Sequence, residues 1–185
     1  LIVISLTIHE FSHAWVADLL GDSPPRYSGR LTLNPIPHID PIGFLMLIVA
    51  RFGWAKPVPI NPNNFHDPKS GTLWVGLAGP LSNLTLAWVL SIIYKFLLPA
   101  FVPPFGVEIL LSAIWLNLAL AVFNIIPIPP LDGSRILAGL LPPELEYILN
   151  SLEEYGFVIL IAFLFFPGTH TFIYSAVNFL YQLMV

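Results

Sequence analysis

The chain has 185 residues, 56% of them hydrophobic and only 10% charged, where soluble domains carry about 25% charged residues. That balance excludes an ordinary globular protein and describes a polypeptide that crosses a membrane several times. Seven Lys and Arg against eleven Asp and Glu form no basic run, which excludes nucleic-acid binding, and the lack of Cys excludes thiol catalysis and Cys-based zinc sites.

Length suits one domain over 1–185. Residues 1–20 are apolar apart from a few ionisable side chains, and as a helix they rise about 30 Å, enough to cross a hydrocarbon core. The run starts at Leu1 without the basic start or small-residue cleavage site of a secretory signal, so the start reads as the edge of a longer protein. Gly21 to Pro25 ends it, and 26–34 reads as a short extended segment or turn. Pro35, Pro37 and Pro41 forbid a long helix, and the apolar run 42–49 is too short for a perpendicular span. In 53–64 Pro recurs every second or third position, which leaves an extended loop, tolerated at membrane depth only where protein or water covers it.

Residues 72–94 carry no formal charge and predict a transmembrane helix, with Gly76, Ala78, Gly79 and Ser82 as a small-residue face for another helix. Asn83 in that helix has two readings, an interhelical hydrogen bond or a substrate or oxyanion contact that shapes a site. Residues 109–126 predict a second span, stopped by Pro127, Pro129 and Pro130 just before Leu131, Asp132 and Gly133. The acidic stretch 139–154 reads as an interfacial helix or loop, and the apolar segments 157–166 and 171–185, split by Pro167 and Gly168, read as a broken helical hairpin or as spans completed by flanking residues. The sum is an all-α membrane protein, a bundle of about five to six transmembrane helices with a re-entrant or extended Pro-rich loop.

Within the first helix stands His9-Glu10-Phe11-Ser12-His13. Two imidazoles four residues apart share a helix face and can hold one metal ion, while the carboxylate beside the first can act as a base toward water there. A shuffle of this composition yields the pattern roughly 0.4% of the time. The plainer reading, two core histidines that only hydrogen-bond, is weak because three ionisable groups in one turn of a lipid-length helix are expensive without a task. A catalytic zinc takes three protein ligands. The soluble arrangements with a Gly and His, or a Glu some twenty residues on, have no counterpart here: Val16 and Leu19 stand at the former positions and no Glu occurs between Glu10 and Glu108. Among the remaining candidates, Asp18 points to another helix face, Asp40 and Asp67 precede Pro in turns, and Glu144, Glu146, Glu153 and Glu154 form a solvated face. His38, His66 and His170 sit in loops and turns. Asp132 differs: it follows a spanning helix through a proline break, and Gly133 permits a sharp turn that can send a carboxylate back into the bundle.

With these motifs, the segments Gly79-Pro80-Leu81-Ser82-Asn83, Gly29-Arg30-Leu31-Thr32-Leu33-Asn34-Pro35 and Ala55-Lys56-Pro57-Val58-Pro59, and Asn124-Ile125-Ile126-Pro127-Ile128-Pro129-Pro130-Leu131-Asp132-Gly133, the sequence resembles the site-2 protease family of intramembrane zinc metalloproteases, in the minimal form without a PDZ domain. The core motifs lie within residues 9–135. The resemblance implies that His9, His13 and Asp132 hold one Zn2+ and that Glu10 is the catalytic base. Asn124 has two readings, a substrate or oxyanion contact and a support for the proline break. Also implied are a zinc-dependent metalloendopeptidase in a prokaryotic cell membrane, with the bilayer, membrane-protein substrates and regulatory membrane partners as its company. The Pro-rich loop could pair with an unwound substrate as an added strand. The alternative is a zinc-binding membrane transporter or sensor without peptidase activity, which would use further ligands along a path, such as His38, His66 and His170. An inactive scaffold is a third reading, disfavoured by the intact His9, Glu10, His13 and Asp132.

Overall fold

The computed structural model describes residues 1–50, 53–97 and 103–185. Among the described residues the chain is helical, and its one β-type pairing is an isolated bridge between Ile39 and Ala55. Helix α1 (Ile2–Leu19) carries the paired histidines. Over 26–34, where a short extended segment or turn was expected, the chain finishes the four-residue helix α2 (Pro24–Tyr27), which has Pro in its first turn, and continues in turns and bends. Proline lacks an N–H, but the first turn of a helix has no use for one, so the Pro pair that ends α1 also starts α2. The same logic opens α3 (Pro41–Ala50) at Pro41; its ten residues rise about 15 Å, too little to cross a bilayer.

Residues 53–61 run extended to a 3-10 turn at Pro62–Asn64. Helix α4 (Pro68–Leu97) has 30 residues and α5 (Pro104–Ile125) has 22. Both start earlier than their uncharged cores, because Pro68 and Pro104 each occupy the first helical position and flanking Lys69, Lys95 and Glu108 are carried at the ends. After the proline break come α6 (Asp132–Leu140), α7 (Pro143–Ser151), α8 (Gly156–Phe165) and α9 (Thr169–Met184). The stretch 139–154, read from its acids as an interfacial helix or loop, is mostly helical. Together α7 and α8 make an apolar stretch, Glu144–Phe165, long enough to cross a membrane, with Glu153 and Glu154 in the 3-10 turn that joins them.

Three described stretches meet the length and apolarity of a span: Pro68–Phe96, Pro104–Ile125 and Glu144–Phe165. Helix α1 has 18 residues, but His9, Glu10, His13 and Asp18 dilute its apolar character. Since lipid tails are as apolar as Leu, burial alone does not drive these helices together; close packing and interhelical hydrogen bonds do. Helix α4 is the hub, packing on α1, α5 and α6. Ala87, Ile114, Leu118 and Val177 join α4, α5 and α9, while Ala17, Phe65 and Val75 join α1 to the start of α4. Between α4 and α5 the glue is polar: Asn83 Nδ2 donates to Asn117 Oδ1 at 2.9 Å, and Asn117 Nδ2 donates to the Ala113 carbonyl at 2.8 Å.

Candidate active site

One turn of α1 separates His9 and His13, and both rings are buried, at 3% exposure. Their Nε2 atoms lie 3.1 Å apart. From the start of α6, Asp132 brings Oδ2 to 3.0 Å from His9 Nε2 and 3.2 Å from His13 Nε2. Each ring is committed at its other nitrogen. His13 Nδ1 lies 2.7 Å from the Val75 carbonyl, which can only accept, so Nδ1–H donates. Asn83 spends its Nδ2 hydrogens on Asn117 Oδ1 and, at 3.3 Å, on the Ser5 carbonyl, which turns Oδ1 to accept from His9 Nδ1–H at 2.6 Å. In the neutral rings both Nε2 atoms therefore present lone pairs, and they face a carboxylate oxygen that is buried without a hydrogen-bond donor.

Three converging acceptors need a cation among them. Ligand atoms about 2.0–2.1 Å from a tetrahedral zinc stand roughly 3.3 Å from one another, a few tenths of an ångström wider than the triangle here. The donor set, two imidazoles with their outer nitrogens hydrogen-bonded and one carboxylate, suits Zn2+. Among the described residues it is the one group of three or more His, Cys, Asp or Glu able to hold a metal ion.

Two glycines make the convergence possible. A Cβ on Gly79 would strike His13 Nε2 and come within 2.6 Å of His9 Cε1 and Nε2, so α4 crosses the rings at a distance only Gly allows. Gly133 was expected to permit a turn; it is instead helical, and its missing side chain lets α6 press against the Ile125 and Ile126 carbonyls at the end of α5. That close approach carries Asp132 inward, in the first turn of α6, where a negative charge suits the helix dipole.

A cavity of about 470 Å³ opens beside the triad, lined mainly by apolar side chains such as Leu6, Val58, Phe123 and Leu160. Trp54 of the extended segment and Phe157 of α8 close it edge to face, with ring centres 5.8 Å apart. Glu10, Asp132, Arg135 and Asn124 also line it. Glu10 is half-buried and makes no hydrogen bond within the described chain, which leaves its carboxylate open to the cavity. Asn124 Nδ2 donates to the Leu120 carbonyl at 3.0 Å and keeps a second hydrogen free. Asn83 is elsewhere: fully buried and absent from the cavity lining, it bonds the His9 imidazole.

The carboxylates and imidazoles set aside in the sequence have other partners. Asp18 pairs with Arg26, Asp40 and Asp67 accept from backbone N–H groups of Gly43 and Lys69, and His38 Nε2 bonds the Thr32 carbonyl. His66 and His170 are exposed. What the sequence did not reveal is the support: the Val75 carbonyl, which no motif could single out, and Gly79, whose small size signalled helix packing but not contact with the rings.

The fold and site define a class, a multi-pass membrane metalloprotease with a single zinc centre. The chain belongs to peptidase family M50, the site-2 proteases, on a family-profile match over residues 104–167 together with similarity that runs along most of the chain to zinc metalloproteases. It is 40% identical over 177 residues to YwhC of Bacillus subtilis (strain 168), covering 90% of this chain and 78% of that protein. It is 32% identical over 181 residues to Rip2 of Mycolicibacterium smegmatis, covering 95% and 69%. A more distant relative is MJ0392 of Methanocaldococcus jannaschii, at 28% over 151 residues, covering 82% of this chain and 36% of that protein. The words zinc metalloprotease stand in all three names. No solved structure matches significantly. The relatives are bacterial and archaeal, and this chain is a zinc metallopeptidase of a prokaryotic membrane.

Proposed function

We propose that the chain, as one integral-membrane domain over 1–185, hydrolyses peptide bonds in or near the transmembrane segments of membrane-protein substrates. The observation that carries this reading is the meeting of His9, His13 and Asp132 in a mostly apolar cavity that also holds an unpaired carboxylate, Glu10. His9, His13 and Asp132 would hold a zinc ion, which would supply Lewis acidity toward water and a substrate carbonyl. Glu10 takes a proton from water onto its carboxylate and later returns it to the leaving nitrogen. The free Nδ2 hydrogen of Asn124 is available to a substrate oxygen.

A substrate helix shields its own peptide bonds, so it has to unwind locally before hydrolysis. The extended segment offers that unwound stretch a partner. Pro57 and Pro59 have no N–H, and the N–H groups of Val58 and Ile60 make no hydrogen bond within the described chain. Both residues line the cavity, so these N–H groups are donors for an added strand. A metal transporter would need further ligand groups along a path, and among the described residues there is one such group.

The test is incubation of the purified chain in lipid nanodiscs with a panel of single-span peptides, with and without chelator, beside Glu10→Gln. Loss of the base is expected to slow cleavage by at least about 100-fold with zinc retained. Cleavage that survives both the chelator and Glu10→Gln would sink the reading.

A further inference from the structure

The segment Gly29-Arg30-Leu31 contributes nothing to the metal centre, yet Arg30 is buried to 4% exposure and no carboxylate bonds it. A guanidinium without a paired anion is costly to bury unless its donors are met. Here two of its five donors are met by consecutive carbonyls of the extended segment: Nη1 donates to Lys56 O at 3.0 Å and Nη2 to Pro57 O at 2.9 Å. Burial holds this guanidinium below its ordinary pKa, with the Glu10 charge acting in the opposite direction.

The segment has two further ties, one on Lys56 itself and one at its far end. Lys56 N–H donates to the His38 carbonyl at 2.9 Å. At the far end, fully buried Asp22 accepts from Asn61 N–H at 2.9 Å and from Asn64 Nδ2 at 2.7 Å. Arg30 is thus the tie nearest Val58, between the Lys56 and Asn61 anchors. Prolines stiffen this stretch but cannot fix its position, since Pro57 and Pro59 donate nothing to a ladder.

We infer that Arg30 is a positioning residue for proteolysis: its forked bond to the Lys56 and Pro57 carbonyls holds the extended segment as a ready-made edge for an unwound substrate. The inference rests on the protease reading above. Binding to a preformed edge avoids the ordering cost that a loose loop would impose on each substrate. Removal of the fork is therefore expected to weaken substrate capture and leave the metal centre intact.

Three full-length chains in nanodiscs separate the possibilities: the parent, Arg30→Met, which keeps the length and loses every donor, and Arg30→Lys, which keeps the charge and loses the fork. Hydrogen exchange reads the segment without any substrate. In Arg30→Met the Lys56 amide is expected to exchange roughly tenfold faster, while the Asn61 amide, held by Asp22, and the amides of α1 and α4 keep their rates. Zinc content stays at the parent level. On a single-span peptide cleaved by the parent, KM is expected to rise about tenfold with kcat within roughly threefold, and Arg30→Lys to fall between. Unchanged exchange at Lys56 overturns the inference, as do equal rises at Lys56 and Asn61, loss of zinc, or a fall confined to kcat. If no peptide is cleaved in a Glu10-dependent way, the protease reading fails, and the exchange rates still decide whether Arg30 holds the segment.

Discussion

At the scale of single residues, the centre depends as much on what fixes the imidazoles as on the imidazoles. Asn83 has three fully used contacts, to His9, Asn117 and the Ser5 carbonyl, at 0% exposure. Replacing it with Leu, of similar size, leaves His9 Nδ1–H and Asn117 Oδ1 buried without partners, at about 1–3 kcal/mol for each. Asn83→Leu is expected to weaken zinc binding by about 10–100-fold, measured by competition against a chelator of known affinity. An unchanged affinity would mean that His9 needs no outer partner. Here the sequence was informative in an uneven way. The H-E-x-x-H spacing announces its chemistry because two side chains must share a helix face, and Asn83 stood out as a polar residue in a spanning helix. Its direction, toward a ligand and away from the cavity, depends on how α4 is rotated against α1, which a single sequence does not encode in any local pattern.

At the scale of elements, α4 does the assembling, and its glycines are not equivalent. A methyl at Gly79 would overlap the His13 ring, whereas one at Gly76 would meet Ile136 Cγ1 at 3.1 Å and the Ile136 backbone nitrogen at 3.2 Å, contacts that a shift of a few tenths of an ångström relieves. Gly79→Ala is expected to lose most of its bound zinc, and Gly76→Ala to keep its zinc while unfolding at a lower temperature by a few degrees, about 1–3 kcal/mol of overpacking. Metal analysis and thermal unfolding of the two purified variants check this; equal zinc content in both would contradict the close crossing. The elements themselves were legible wherever an uncharged run exceeded the bilayer thickness, as in α4 and α5. Boundaries were harder to read where proline plays two parts. Pro24 and Pro25 end one helix and begin the next, so the short extended segment or turn expected over 26–34 opens with the end of a helical turn. The acids of α7 suggested an interfacial helix or loop; the segment is helical, and with α8 it forms a stretch long and apolar enough to span, because residues such as Leu145, Ile148 and Leu149 stand among those charges.

At the scale of the whole molecule, a hydrolytic centre is built inside a structure that lipid surrounds, and the extended segment forms one wall of its cavity. If Val58 and Ile60 supply the donors for a bound strand, then Val58→Pro with Ile60→Pro removes them while the cavity and metal ligands stay in place. The double variant is expected to lose cleavage of a helical single-span peptide by roughly tenfold or more, with zinc unchanged. Cleavage at the parent rate would rule out strand pairing at this wall. The Pro-rich composition made an extended loop readable from sequence; its anchoring by Arg30 and Asp22 was not, since both come from a connection more than twenty residues upstream.

The most direct measurement concerns the ion itself. X-ray absorption at the zinc edge, with zinc stoichiometry, should be recorded on the parent chain and on Asp132→Ala. One ion per chain is expected in the parent, with two imidazole nitrogens and at least one oxygen around it, and occupancy in the variant should fall by about tenfold or more at limiting zinc. A variant that keeps a full complement of zinc in an unaltered ligand shell would contradict the meeting of α1 and α6 at one metal.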